Sequence, residues 1–297
     1  MQEQSTWLEV ALNGPWGRRR QPRIPIAIED IVDEGVACAQ AGAAVIHAHA
    51  YDETGKPKED ADLYSRIIEG IRNRADVIVY PTIPTPGLGD FPVDAAPEQR
   101  FATMETLAKR GLLEWAAVDP GTANIALYDD LREDRPGFVY VNSEQEVRHA
   151  LGLAARYRFH PSYAIYEPGF VRLGATLHWR CSCPAPIYRF MFSTDYTFSF
   201  PPDDFGLTAY LHLLDRVAPG ARWMVAGLGV DTQSLIPRVV AEGGHVRVGL
   251  EDASFGCDKS NVELAQEATA LIEACGSKLA TAAEVRAELD AVEMGDA

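Results

Sequence analysis

Short apolar or β-branched runs alternate with amphipathic segments along the whole chain, and this alternation limits the fold more than any other feature of the sequence. A strand followed by a helix, repeated, builds a parallel sheet, because a parallel neighbour is reached only through a crossover. Eight such units are legible, with strands predicted at 7–14, 43–50, 76–83, 115–122, 162–166, 187–192, 222–226 and 245–251. Helices are predicted at 28–42, 60–74, 97–110, 143–157, 171–180, 206–217, 234–242 and 262–274. Number and length match the α/β fold class of the (β/α)8 barrel. A doubly wound open sheet is disfavoured, because NGPWG after the first strand is not the Gly-rich phosphate turn such a fold uses there. The connection after the fourth strand is long and is read as a functional loop. Residues 277–297 are predicted to form a charged terminal helix on a single domain spanning 1–297.

Composition narrows the partners. The chain has 297 residues and a formal net charge of −16, from 27 Lys and Arg against 43 Asp and Glu. Such a balance disfavours non-specific binding to nucleic acid or anionic lipid and points to small molecules. No apolar run is long enough to span a bilayer, and MQEQSTWLEV lacks a signal-peptide pattern, so a cytoplasmic protein is expected. The five cysteines are odd in number and dispersed, which fits reduced thiols. Cys181 and Cys183 have no companion pair with metal-finger spacing and read as structural.

In a barrel the chemistry lies at the C-terminal ends of the strands. His47 and His49 close the second predicted strand, and residues two apart on a strand project from one face, so both imidazoles can reach one ion. Glu251, at the end of the eighth, is the candidate third ligand, leaving an open position for substrate. The ordinary alternative is a pair of hydrogen-bonded histidines in a half-buried strand. Zinc is the first choice, with other divalent transition metals compatible. Arg247 shares strand parity with Glu251 and needs an acid or an anionic ligand beside it. Asp252 supplies one only if the strand bends or ends before it. The alternative role for Arg247 and Asp252 is a purely structural ion pair.

Thr82, Thr122 and Asn124 follow strands and are candidate carboxylate binders, although such residues are also common in turns. Glu167 reads as an acid, a base or a helix cap. The loop WGRRRQPR is the one strongly basic run in an acidic chain, and Arg18, Arg19, Arg20 and Arg23 would face a polyanionic ligand at the active end of a barrel.

The runs VIHAHAYDETGKP and, above all, AEGGHVRVGLED resemble the β-keto acid cleavage enzymes, and the likeness extends from Leu8 to Gly276. The resemblance implies a zinc-dependent (β/α)8 barrel, assembled as a homotetramer, that converts a 3-oxo carboxylic acid and acetyl-CoA into acetoacetate and a new acyl-CoA. It implies His47, His49 and Glu251 as metal ligands, Arg247 and Asp252 as the catalytic pair, with Asp252 the base, and Thr82, Thr122 and Asn124 around the substrate carboxylate. Arg18, Arg19 and Arg20 then become candidates for the phosphates of the CoA partner.

The chain departs from the family pattern at two places. Asn13, Gly14, Pro15 and Trp16 stand where an acid-bearing turn is usual, and Ser162 and Ala164 stand at positions often held by glutamate. A neutral or apolar substrate is therefore expected. A metal-dependent hydrolase or aldolase without CoA, and a non-catalytic metabolite-binding barrel, are the alternatives the sequence allows.

Overall fold

The structure is a computed structural model. It describes residues 5–86, 91–92 and 94–295. The first four residues, read above as part of the N-terminal pattern, and the last two of the predicted terminal helix lie outside that range.

Eight parallel strands form the barrel: β1 (Leu8–Ala11), β2 (Val45–Ala48), β3 (Ile78–Pro81), β4 (Trp115–Ala117), β5 (His160–Ile165), β6 (Ile187–Phe192), β7 (Arg222–Gly227) and β8 (His245–Val248). Ladders run β3-β2-β1-β8-β7-β6-β5-β4, so β8 pairs with β1, and the ring is nearly closed where β3 faces β4. Helices cover the outside while side chains fill the inside, which is why β1 to β4 are buried along their whole length. The chain is thus a (β/α)8 barrel.

Local sequence fixes several helix starts. Asp60 accepts backbone hydrogen bonds from Asp62 and Leu63 ahead of the helix Ala61–Arg72. Ser143 with Glu146, and Ser260 with Glu263, form reciprocal capping boxes that begin Glu144–Tyr157 and Asn261–Ala274.

Three predicted elements are corrected. The fourth strand stops at Ala117 instead of 122, and the connection beyond it is a built feature. Ala123–Ile125 pairs antiparallel with Phe138–Tyr140, with the short helix Tyr128–Arg132 between them. Buried Arg100 anchors this ribbon, donating to the carbonyls of Pro84 and Val141, to Glu146 and to Asn142. The eighth strand stops at Val248, not 251. The terminal segment is not helical from 277: Lys278–Leu279 first pairs in parallel with Ser5–Thr6, and the helix is Ala282–Gly295. Trp7 ties that helix to the barrel floor by donating its indole N–H to Glu288 at 2.9 Å. No disulfide joins the five cysteines. Among the described residues no helix is long and apolar enough to cross a membrane.

Candidate active site

The end of β8 decides the geometry. Gly249 has φ +132°, and a Cβ there would lie 2.2 Å from the Ala11 carbonyl oxygen, so only glycine lets the chain turn against β1. The Glu251 amide then donates to that same Ala11 carbonyl at 3.2 Å. This turn, and not continued strand parity, brings Glu251 over the barrel axis. It also meets the condition under which Asp252 reaches the same region.

His47 and His49 approach Glu251 from β2. His47 Nε2 lies 3.4 Å from Glu251 Oε2, and His49 Nε2 lies 3.4 Å from Glu251 Oε1. One ligand atom from each of the three falls within 4.8 Å of the others. All three residues are buried, yet His47 Nδ1, His49 Nε2 and Glu251 Oε2 find no hydrogen-bond partner. Buried polar atoms left unpaired are costly, and a cation between them would satisfy the arrangement. Burial holds the His47 imidazole well below its ordinary value, so it is neutral, as a ligand must be. Burial alone would raise the Glu251 carboxyl, but His47, Arg247 and His49 outweigh it and keep the group well below the usual range. Two imidazoles and a carboxylate are a donor set for zinc or a similar divalent ion.

The ligands are held in turn by neutral side chains. Asn13 donates to the carbonyls of Pro25 and His49 and accepts from the His49 amide at 2.8 Å. Gly14 packs so closely that a Cβ would sit 2.7 Å from Glu251 Cγ. Trp16 donates its indole N–H to the Glu251 carbonyl at 2.8 Å. Asn261 accepts from the Leu250 amide and donates to the Leu12 carbonyl, tying the β8 turn to the end of β1.

Arg247, 1% exposed, is saturated with acids. It grips Asp252 with two hydrogen bonds, Nε to Oδ2 at 2.8 Å and Nη2 to Oδ1 at 2.7 Å. It also donates to Glu9 at 3.0 Å and approaches Glu251 at 3.1 Å. Glu9, wholly buried on β1, was not singled out from the sequence, although it is the lone charge within WLEVAL and its Cα is the ladder partner of Arg247. Its Oε1 also accepts from the Tyr80 hydroxyl at 2.6 Å. Burial raises the Asp252 carboxyl, against the pull of Arg247. Despite its own burial, Arg247 is held above its usual value, first by Asp252 and then by Glu251, so it stays charged.

A cavity of about 650 Å³ opens over these groups, and its walls include His49, Glu251, Arg247, Thr82, Asp119 and Arg189. Asp252 is not among the residues on that wall; Arg247, which is, holds it by two hydrogen bonds. Thr82 faces the cavity. Thr122 and Asn124 do not. Because β4 ends early, Asn124 falls in the antiparallel ribbon, where it is exposed, and Thr122 falls just before it, its hydroxyl accepting from the Asn142 backbone amide at 3.0 Å. Arg19 and Arg20 reach the cavity, with the Arg20 guanidinium 4.6 Å from the Phe255 ring centre. Arg18 is turned away, donating to the Ile24 carbonyl and lying 3.9 Å from Asp30, and Arg23 lies 3.6 Å from Glu263. Glu167 precedes the helix Pro168–Cys181 without a side-chain cap bond and is absent from the cavity wall.

Two residues on the far wall were not picked out from the sequence. Asp119, 6% exposed, accepts from the Tyr140 hydroxyl and from the Ala164 amide. Arg189, 4% exposed, donates from Nε to Ser162 at 2.8 Å. The signal for Arg189 was available: a lone charge in the apolar strand IYRFMF.

The chain resembles known proteins over nearly its whole length. It is 27% identical over 288 residues to the 3-oxoadipate:acetyl-CoA acetyltransferase of Cupriavidus necator, covering 95% of this chain and 93% of that one. It is 25% identical over 275 residues to the 3-keto-5-aminohexanoate cleavage enzyme of Fusobacterium nucleatum, covering 91% of each. Among solved structures, the apo structure of ObcA superposes with a TM-score of 0.72 at 16% identity, over 91% of this chain and 66% of that longer one, a likeness of fold. Residues 5–290 match the family model of the beta-keto acid cleavage enzymes, and the chain belongs to that family.

Proposed function

We propose that the protein is a metal-dependent enzyme joining a 3-oxo carboxylic acid and acetyl-CoA and releasing acetoacetate and a new acyl-CoA. The observation that carries the reading is the convergence of His47, His49 and Glu251 on one point, with His49, Glu251 and Arg247 on the wall of one cavity. The related proteins from Cupriavidus and Fusobacterium, named for an acetyl-CoA acetyltransferase acting on 3-oxoadipate and for keto acid cleavage, support it.

His47, His49 and Glu251 are the residues that would hold the ion. A divalent cation there supplies Lewis acidity toward the 3-oxo and carboxylate oxygens of the substrate. Arg247 presents a fixed positive charge to the cavity where negative charge develops. The C2 proton goes to the carboxylate of Asp252, whose proton affinity burial has raised and which Arg247, itself permanently charged, orients through two hydrogen bonds. C2 attacks the thioester carbonyl, the new C–C bond forms and CoA thiolate departs. That thiolate then attacks the original 3-oxo carbon, the C2–C3 bond breaks, and acetoacetate takes back the proton at C2. Thr82 borders the reacting end, and the wall of Ile125, Leu127, Phe138 and Tyr166 suits an apolar carbon chain. Arg19 and Arg20 at the cavity are placed to meet the CoA phosphates, a role this reading no longer gives to Arg18. Homotetramer assembly is part of the same proposal and is read by light scattering.

The test is acetoacetate formation by the metal-loaded protein from 3-oxo acids with and without acetyl-CoA, beside His47→Ala and Asp252→Asn. Product that requires acetyl-CoA and is lost in both variants supports the reading. Turnover without acetyl-CoA would identify a hydrolase or aldolase instead. Bound metal and ligand with no turnover would identify a binding protein.

A further inference from the structure

Arg189 is a buried cation for which the protein provides little. Its one hydrogen-bond acceptor among the described residues is the neutral Ser162 hydroxyl, and it forms no direct ion pair with any of them. Tyr80, Glu9 and Asp119 act on it only at longer electrostatic range, where together they outweigh burial and the neighbouring Arg247 and keep it charged. Asp119 has one oxygen on the Tyr140 hydroxyl and the other on the Ala164 amide, and Glu9 is anchored through Oε1 by Arg247 and Tyr80, while its Oε2 makes no hydrogen bond and lies beyond ion-pair distance of Arg189. Arg189 lines the cavity together with the small residues Ala117 and Ala164, the latter its ladder partner on β5. A planar group with donors to spare, desolvated and unpaired, is a receptor for an oxyanion, which it can bind through two parallel hydrogen bonds.

We infer that Arg189 binds a second carboxylate, at the end of the substrate remote from the reacting carbons, and that the preferred substrate is a short 3-oxo dicarboxylic acid. The inference rests on the reaction proposed above, which uses the first carboxylate at His47, His49, Glu251 and Arg247. Arg189 lies on β6, two strands round the wall from β8, roughly 10 Å at the usual strand spacing. An extended chain of about six carbons bridges that distance, and its methylenes run past the apolar wall. The wholly neutral substrate expected from the sequence gives way to one that is apolar in the middle and anionic at the tip.

The experiment compares a six-carbon 3-oxo dicarboxylic acid with the six-carbon 3-oxo monocarboxylic acid, each with acetyl-CoA, in the metal-loaded wild type, Arg189→Lys and Arg189→Met. Wild type is expected to favour the diacid by about 10- to 100-fold in kcat/KM, the worth of one charge-assisted contact. Arg189→Met is expected to bring the ratio close to one, chiefly through KM, and Arg189→Lys to fall between. Calorimetry with unreactive adipate and hexanoate reads the site without turnover: adipate binds more tightly to wild type, and the difference vanishes in Arg189→Met. The melting temperature of Arg189→Met stays level or rises, which a merely structural arginine would not allow. Turnover of both acids without preference, or a preference that survives Arg189→Met, overturns the inference and leaves the proposed reaction standing. Arg189-dependent adipate binding with no turnover of either acid would remove the proposed reaction and keep the anion site.

Discussion

Two arginines lie buried inside the same barrel, and the protein treats them in opposite ways. Arg247 on β8 meets three acids, Asp252, Glu9 and Glu251, each within about 3 Å. Arg189 on β6 meets a single neutral hydroxyl. A guanidinium saturated by its own fold is a fixed part of the machinery; one left with spare donors toward a cavity is waiting for a ligand. The β8 side therefore reads as the place of chemistry and the β6 side as the place of selection. This difference gives the two regions different responses to mutation.

The largest expected effect is on stability. Arg247→Leu leaves three buried carboxylates facing one another and should cost about 3–5 kcal/mol in chemical unfolding, whereas Arg189→Met should cost nothing measurable. Equal losses at the two positions would erase the contrast. Next comes the metal. His47→Ala should lower zinc affinity by more than about 100-fold, since even partners behind a ligand are worth 10- to 100-fold; metal content after dialysis checks it. Retention of the ion by the variant would refute the ligand assignment.

A third prediction separates the two ends of β8. His245, at the opposite end from Glu251, stacks on Trp7 with ring centres 3.9 Å apart, and burial and then Arg222 lower it to about 3. Its folded value lies below the unfolded one of about 6.5, so the unfolded chain binds the extra proton between them. The stability involved is fully present above about pH 6.5 and is lost as pH falls toward 3, at about 1.4 kcal/mol per pH unit. Urea unfolding at pH 7 and pH 5 should show a loss of stability in wild type that exceeds the loss in His245→Phe, which keeps a ring against Trp7, by the contribution of this one imidazole. The smallest effects are expected at Thr122 and Asn124, which lie off the cavity: Asn124→Ala should leave KM for the 3-oxo acid within about twofold, because surface changes away from a site are usually near neutral. A large rise in KM would return the ribbon to the substrate.

The sequence made the barrel legible because strand and helix periods are local signals, and eight repetitions leave few folds. His47 and His49 were legible because two residues on one strand share a face whatever surrounds them. Glu9 and Arg189 were overlooked, although each is a lone charge in an apolar strand, since a single strand does not show what stands opposite. That Thr122 and Asn124 stand off the cavity wall was not legible, because the point where β4 stops is set by pairing across the sheet and by Arg100 holding the ribbon, neither of which is a local property.

What the sequence determined by itself was the repeat, the pair of imidazoles on one strand and the carboxylates after the last strand. Tertiary structure decided the rest. Gly249 turning against Ala11 set where Glu251 and Asp252 point, and the strand order set which arginine received acids and which did not. Periodicity is carried by neighbours in the chain, whereas the pairing of buried charges depends on groups brought together from distant parts of it, Arg247 with Glu9 across 238 residues.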